Sequence, residues 1–332
     1  MDLGTYYRGK RVMITGGLGF LGSNLATALV KLHAEVLLVD ALLPLYGGNL
    51  HNIQGIEDRL TLEIADIRDQ EAMNRLVPER DVIFNLAAQV SHLDSMADPL
   101  LDLDINARGN LVLLEACRRH NPGVKVIYAG TRGQYGTPTE SPVREDHPMT
   151  PSDFYGINKT AAEQYHFLYR RVCGLHATSL RINNTYGPRH QMKHSKYGVL
   201  NWLIRVAMEG KKITVYGDGS QLRDYNYVDD VTEAFLLLGA STEVDGQAFN
   251  LGSGEPISFL ESVVGIIDTV GGGTYECVPW PDERLAIEVG DFVADYSKIG
   301  RVLGWSPRVR FREGLERTVE FYRHNWRHYW TS

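Results

Sequence analysis

The sequence predicts an α/β protein: a doubly wound parallel sheet, followed by a smaller mixed α/β C-terminal lobe. Three observations predict it. Apolar segments of strand length alternate with amphipathic segments over the first 180 residues. A glycine-rich turn, "TGGLGFLG" at 15–22, joins the first strand to the first helix. Past residue 183 the alternation gives way to longer polar loops with shorter elements between them. Continuous apolar strands between amphipathic helices belong to a sheet covered on both faces. With 332 residues and 43% hydrophobic content, the chain has enough apolar surface for a core in each lobe.

The elements follow in order. "RVMITGG" at 11–17 reads as a strand and "GFLGSNLATALVKLH" at 19–33 as a helix. "EVLLVD" at 35–40 and "LTLEIADI" at 60–67 are the next strands, and 69–77 is a helix. "DVIFNLAA" at 81–88 is the fourth strand, and a long helix is expected over 102–120. "KVIYAGT" at 125–131 is the fifth strand, 154–172 a helix, and "HATSLRI" at 176–182 a strand. The segment 227–241 has the pattern of a helix returning to the first lobe. Phe311, Leu315, Val319, Tyr322 and Trp326, three or four residues apart, line one face of a terminal helix. The expected division is therefore 1–180 with about 224–251 in the first domain, and 181–223 with 252–332 in the second.

The net charge is −7, which disfavours nucleic acid and anionic membrane as partners. Cys117, Cys173 and Cys277 are few, odd in number and far apart. Neither a disulfide framework nor a cysteine-rich metal site is expected, and a reducing cytoplasm fits. The N-terminal stretch lacks a signal-peptide pattern, and no apolar run nearby is long enough to span a bilayer.

The glycine turn carries the first chemistry. Gly16, Gly19 and Gly22 follow a strand and open a helix. Glycines there permit a tight turn and close approach of backbone to a pyrophosphate, with the helix N-terminus aimed at the phosphates. Asp40 ends the second strand, 18 residues after Gly22, where a carboxylate meets the hydroxyls of an adenosine ribose. It would repel a 2′-phosphate, and Ala41, Leu42 and Leu43 offer no arginine to receive one. The expected cofactor is NAD rather than NADP.

"YGINK" at 155–159 sets Tyr155 and Lys159 on one helical face, after a strand that ends in Thr131. With the glycine turn upstream, the chain resembles the extended short-chain dehydrogenase/reductase family, in its nucleotide-sugar epimerase/dehydratase branch, over nearly its whole length. The resemblance implies a Rossmann-type cofactor domain, and Thr131, Tyr155 and Lys159 as the catalytic trio. It implies cofactor contacts from Gly16, Gly19, Phe20, Leu21, Gly22 and Asp40. Asp66 and Ile67 would meet the adenine; Leu86, Ala87, Ala88 and Asn106 would lie along the cofactor. Asn184 and Val199 fall in the segment that reaches the sugar. Tyr216 would lie against the base, with Arg223 and Arg284 on the diphosphate.

The trio suits oxidation of a sugar hydroxyl. A nearby ammonium favours the phenolate of a tyrosine, which then takes the hydroxyl proton as hydride leaves the carbon. In the family's dehydratases an Asp-Glu pair follows the threonine; here Arg132 and Gly133 stand there. The expected reaction is thus NAD-dependent epimerisation of a nucleotide-diphosphate sugar, most of all at C4 of a UDP-hexose or UDP-uronate. The alternatives are C2 epimerisation of a CDP-deoxysugar, a dehydratase or decarboxylase drawing an acid from Glu145 or Asp146, or a non-catalytic NAD sensor. The basic loop "GPRHQMKHSKYG" at 187–198 reads first as solvated, and second as a cationic wall for a uronate. Its His190 and His194 lack the rest of a zinc motif, so no metal is expected. A homodimer is expected through the helices after the fourth and fifth strands.

Overall fold

The computed structural model describes residues 2–43, 46–285 and 288–330. Strands β1 (Arg11–Thr15), β2 (Glu35–Asp40), β3 (Leu60–Ile64), β4 (Val82–Asn85), β5 (Lys125–Thr131) and β6 (His176–Ile182) are those expected from the apolar runs. The later strands are short: β7 (Asn184–Tyr186), β8 (Lys212–Tyr216), β9 (Leu222–Arg223), β10 (Tyr225–Tyr227), β11 (Ala248–Asn250), β12 (Ile257–Ser258) and β13 (Thr274–Val278). One seven-stranded parallel sheet runs in the order β11-β6-β5-β4-β1-β2-β3. The chain winds outward from β1 to β3, then returns to lay β4 on the other side of β1. This reversal makes β1 and β4 the switch point, where a doubly wound sheet opens a crevice beyond its strand ends.

Register aligns those ends. Thr15 lies beside Val39 and Asn85, and Thr131 beside Ile182. Helices cover both faces. On one, Leu25 and Leu29 of the helix Phe20–Lys31 and Val231 and Phe235 of Val228–Ala240 pack over Val12, Ile14 and Phe84. On the other, Leu113 and Cys117 of Gly109–His120 pack over Met13 and Ile83. Each such buried aliphatic side chain contributes about 1.5–3 kcal/mol.

A separate core holds the C-terminal elements. Leu203 and Ile204 of Val199–Met208, Val263 and Ile266 of Phe259–Val270, and Leu315 and Val319 of Phe311–Asn325 meet Ile213 and Val215 of β8. Ile299 and Trp305 sit instead in the first core, with the Trp305 indole N–H donating to the Asp230 carbonyl at 3.0 Å. The helix Ser297–Leu303 is therefore a return to the first lobe that the sequence reading left in the second.

The helix expected over 102–120 starts earlier and is interrupted. Asp98 caps it, accepting from the Leu101 N–H at 3.0 Å, and Pro99 takes its first position, where a missing N–H costs nothing. A π-helical turn at Asp104–Arg108 then joins Pro99–Leu103 to Gly109–His120. A short helix, His92–Ala97, was not anticipated; the Ser91 hydroxyl caps it by accepting from the Asp94 N–H at 3.0 Å. Among the described residues no helix is long and apolar enough to cross a membrane.

Candidate active site

A continuous cleft of about 890 Å³ lies beyond the C-terminal ends of β1, β2, β4, β5 and β6 and reaches over to the second core. Its first half is made of backbone. Gly16 adopts φ +67°, and a Cβ there would stand 3.0 Å from the Ala87 backbone. A Cβ on Gly22 would come within 2.3 Å of the Gly16 carbonyl oxygen. Gly19 caps the helix Phe20–Lys31 without a side-chain partner, so its first N–H groups face the cleft unshielded. The Thr15 hydroxyl accepts from the Leu86 and Ala87 N–H groups, both at 3.1 Å, and donates to Asn85 at 2.8 Å. These bonds seat the end of β4 against the glycine turn.

Asp40 lines the cleft and accepts from the Leu18 and Leu42 N–H groups, at 3.0 and 2.9 Å. Burial raises its pKa, and the two backbone donors act in the other direction. Asp66 is gripped by Arg68, at 2.7 Å through Nη2 and 3.0 Å through Nε. Burial opposes its charge, but the Arg68 bonds outweigh it and lower the pKa. Ile67, Leu86, Ala87 and Ala88 line the same wall. A glycine cradle that no Cβ could enter, an uncapped helix start and a carboxylate at the end of β2 together fit a dinucleotide.

Asn106 stands apart. Its side chain donates to the Gln89 carbonyl at 2.8 Å and to Asp102 at 2.9 Å, and accepts from the Gln89 N–H at 3.1 Å. Fully buried, it does not line the cleft. The π-helical turn aims it at the loop after β4, which it holds in place.

The second half of the cleft is made of side chains. Thr131 ends β5; its hydroxyl accepts from the Gly133 N–H at 3.2 Å and lies near enough to the Tyr155 phenol to act on it. Tyr155 and Lys159 lie one turn apart on the helix Phe154–Cys173, which Asp153 caps by accepting from the Gly156 N–H at 2.7 Å. Burial raises the Tyr155 pKa; the Thr131 hydroxyl lowers it in part. Burial also brings Lys159 down to about 7, despite the pull of Asp102 and Glu163. Its ammonium lies 4.3 Å from the centroid of the Tyr128 ring. The two proton-carrying groups are thus desolvated together, and the cost of charging either is high.

Asn184, Val199, Tyr216, Arg223 and Arg284 all line this half. Arg223 is no solvated loop arginine: it is buried, and bonds Glu288 at 2.5 Å and the Gly290 carbonyl at 2.7 Å. Arg284 lies over the Tyr216 ring at 5.9 Å. Arg132, next to Thr131, donates to Asn184 at 3.3 Å, and burial lowers its pKa to about 10.

Three site residues escaped the sequence reading. Trp280 tilts against Tyr216 with ring centroids 5.4 Å apart. Glu288 holds Arg223. His92 bonds Asp153 through Nδ1 and meets the Tyr155 ring edge-on at 5.0 Å. Only the aromatic and acid in "VPWPDERLAIE" gave any sign of the first two, and no spacing links His92 to Tyr155.

The basic loop at 187–198 is solvated only in part: Lys193, Ser195 and Lys196 are exposed, and the rest turns inward. His190, Gln191 and Met192 are buried, and Lys196 pairs with Asp94 at 2.6 Å. The His190 Nδ1 bonds the Gln191 carbonyl, and burial lowers its pKa to about 4, so it brings no positive charge to a wall. Among the described residues no three potential ligands cluster to hold a metal.

The fold is that of a dinucleotide-binding protein, with a tyrosine and a lysine one helical turn apart in its cleft. Comparison with known proteins gives the family. The family model described as GDP-mannose 4,6 dehydratase matches residues 13–318. The UDP-glucose 4-epimerase of Mycolicibacterium smegmatis is 36% identical over 94% of this chain and 98% of its own. Among solved structures, the epimerase Mth375 of Methanothermobacter thermautotrophicus superposes with a TM-score of 0.92 at 30% identity, over 98% of this chain and 96% of its own. The UDP-glucose 4-epimerase of Thermus thermophilus, in complex with NAD, gives 0.84 at 33% identity, over 94% and 99%. The chain belongs to the extended short-chain dehydrogenase/reductase family of NAD-dependent nucleotide-sugar epimerases and dehydratases. Solved neighbours hold NAD, and the relatives are enzymes of nucleotide sugars.

Proposed function

We propose that the protein epimerises a nucleotide-diphosphate sugar by transient oxidation, at C4 of a UDP-hexose or UDP-uronate. The observation that carries this reading is the Thr131–Tyr155–Lys159 trio in a cleft whose lining carboxylates are all engaged. Asp40 accepts backbone N–H groups, Asp66 is held by Arg68, Asp153 by His92 and Glu288 by Arg223. The two acids offered from elsewhere in the chain do not reach the cleft. Glu145 accepts from the Asn250 N–H at 2.9 Å, Asp146 pairs with Arg144 at 2.9 Å, and neither lines the cleft. Elimination of water needs an acid free to act, and that favours epimerisation.

When bound, NAD takes hydride from the sugar carbon and returns it. Gly16, Gly19, Phe20, Leu21 and Gly22 would hold its phosphates, Asp40 its adenosine ribose, and Asp66 with Ile67 the adenine edge. Tyr155 takes the hydroxyl proton through its oxygen, with Thr131 fixing that oxygen and Lys159 offsetting the charge. Giving the proton back completes the cycle after the ketosugar has turned its other face. Arg223 and Arg284 would flank the diphosphate, and Tyr216 with Trp280 the base.

Arg132 favours a uronate over a neutral hexose. It lines the cleft half-buried beside Thr131, and the carboxylates that act on it are already bound, Glu288 to Arg223 and Asp153 to His92. A sugar carboxylate would supply the missing partner.

A homodimer is part of this reading, but not through the side chains first expected. Leu113 and Leu114 are fully buried against the sheet, and Tyr165 packs on the same core. Leu100 at 75% exposure, Leu103, Ile157 and Val172 at 64% are among the apolar residues left outward on these helices. Exposed free thiols at Cys173 and Cys277 support a reducing, cytoplasmic setting.

The test is incubation with NAD and UDP-glucose, UDP-glucuronate or CDP- and dTDP-sugars, with products read by mass and proton NMR. An unchanged mass with one inverted ring coupling is expected. Loss of water or carbon dioxide would overturn the reading, and inversion at C2 would move the reaction to another carbon.

A further inference from the structure

His92 lies outside the trio, yet it faces the same space. It is the first residue of the unanticipated helix His92–Ala97 and lines the cleft, its side chain 45% exposed. Its Nδ1 bonds one oxygen of Asp153, whose other oxygen caps the helix that carries Tyr155. Asp153 is held below its ordinary pKa: burial raises it, but the bonds from His92 and the Gly156 N–H outweigh burial. An ionised carboxylate only accepts, so the proton between the two rests on Nδ1. Nε2 takes no hydrogen bond from the described residues and is left as an acceptor.

Gly133 makes this possible. A Cβ on residue 133 would stand 3.4 Å from the His92 Cε1 and 3.6 Å from the Thr131 Oγ1. The imidazole therefore lies within van der Waals reach of the space beside Thr131 that a side chain at 133 would occupy. Its ring meets Tyr155 edge-on, with 76° between the planes. A carboxylate-oriented imidazole beside a group that makes ketones is a placed base.

We propose that His92, oriented by Asp153, is a second catalytic proton-transfer residue, acting on the carbon next to the one that is oxidised. The inference rests on the ketosugar reading above. Once Tyr155 has taken the hydroxyl proton, the new carbonyl acidifies the neighbouring C–H. Nε2 takes that proton. The C–H electron pair becomes a C=C bond, and the carbonyl π pair moves to oxygen, where Thr131 and the protonated Tyr155 hold it. Return of the proton from Nε2 to the same carbon restores the ketosugar.

The experiment is turnover of UDP-glucose, UDP-glucuronate and dTDP-glucose in deuterium oxide, with NAD added. Nicotinamide reduction is followed by absorbance, and ring deuteration by NMR and mass. The wild-type enzyme should place one solvent deuteron on a carbon adjacent to the oxidised one. In His92→Gln the ratio of deuteration to hydride transfer should fall about 100-fold, within the usual range for loss of a general base. Asp153→Asn, which keeps an oxygen for the helix cap, should lower the same ratio by less. A ratio unchanged in His92→Gln overturns the proposal, and so does nicotinamide reduction without deuteration in the wild type. A wild-type enzyme that reduces no NAD on these sugars overturns the parent reading, a result distinct from reduction without exchange. NAD affinity of each variant separates loss of the base from loss of fold.

Discussion

The two halves of the cleft are built by different means. The cofactor half is backbone: glycines with no room for a Cβ, strand ends in register and a helix start without a cap. The sugar half is side chains drawn from distant parts of the chain: His92, Thr131 with Arg132, Tyr155 with Lys159, Arg223, and Trp280 with Glu288. A backbone cradle tolerates almost no added atom, and a side-chain wall tolerates exchange of its members. The first half therefore fixes the cofactor, and the second leaves room for the reaction and the sugar to differ among relatives sharing one scaffold.

Substitutions should separate the halves. The largest expected effect is at their junction. Tyr155→Phe should lower hydride transfer about 10³-fold, within the usual range for an acid–base group, with NAD affinity kept within about threefold. Single-turnover reduction of bound NAD, with calorimetric titration of NAD, reads both quantities; retained turnover would remove the tyrosine from the mechanism.

Next comes the cofactor half. Gly22→Ala places a methyl group 2.3 Å from the Gly16 oxygen and 2.8 Å from the Gly17 Cα. Both neighbours are backbone and cannot swing aside, so a stability loss of about 1–3 kcal/mol is expected, with weaker NAD binding. Urea unfolding with and without NAD measures it, and an unperturbed variant would break the contrast between the halves.

In the sugar half, Arg223→Ala should raise KM for the nucleotide sugar about 10-fold or more and leave NAD affinity in place. The loss includes the Glu288 carboxylate left without its 2.5 Å partner. Steady-state kinetics at saturating NAD checks it. A change in NAD affinity instead would blur the division.

The smallest expected effect is a shift along the pH axis. Burial brings Lys159 down to about 7, so the tyrosine–lysine relay is expected to lose its first proton near that pH. The form with one proton gone is the one that can accept from the sugar. So kcat/KM should rise with pH through about 7 and level off above it. In Lys159→Met the rise should move to higher pH, because Tyr155 alone lies above the ordinary tyrosine value. An unmoved rise would assign the titration elsewhere.

The same contrast explains what was legible in the sequence. The sheet strands β1 to β6 and the glycine turn were readable because local pattern decides them: apolar runs, glycine spacing, and the Asp40 carboxylate at a strand end. The three-residue β11 and the helix Ser297–Leu303 were not, because their place depends on what they pack against. Thr131, Tyr155 and Lys159 were readable once helical spacing and a strand end were combined. His92 was not, because 63 residues separate it from Tyr155 and only the fold closes that gap. The start of the long helix is set by the Asp98–Pro99 cap, which lies outside the apolar pattern that marks the rest of it. Composition makes the loop at 187–198 look solvent-facing throughout, and it does not report that His190 packs on Phe20 with ring centroids 4.6 Å apart.

The central claim is that hydride leaves the sugar and comes back to the same carbon. The most direct measurement uses UDP-glucose and UDP-glucuronate carrying deuterium at C4, turned over in ordinary water with NAD present. The account predicts a product with an inverted C4 configuration and the label still on C4. Label lost from C4, or a product lighter by water or carbon dioxide, would contradict it.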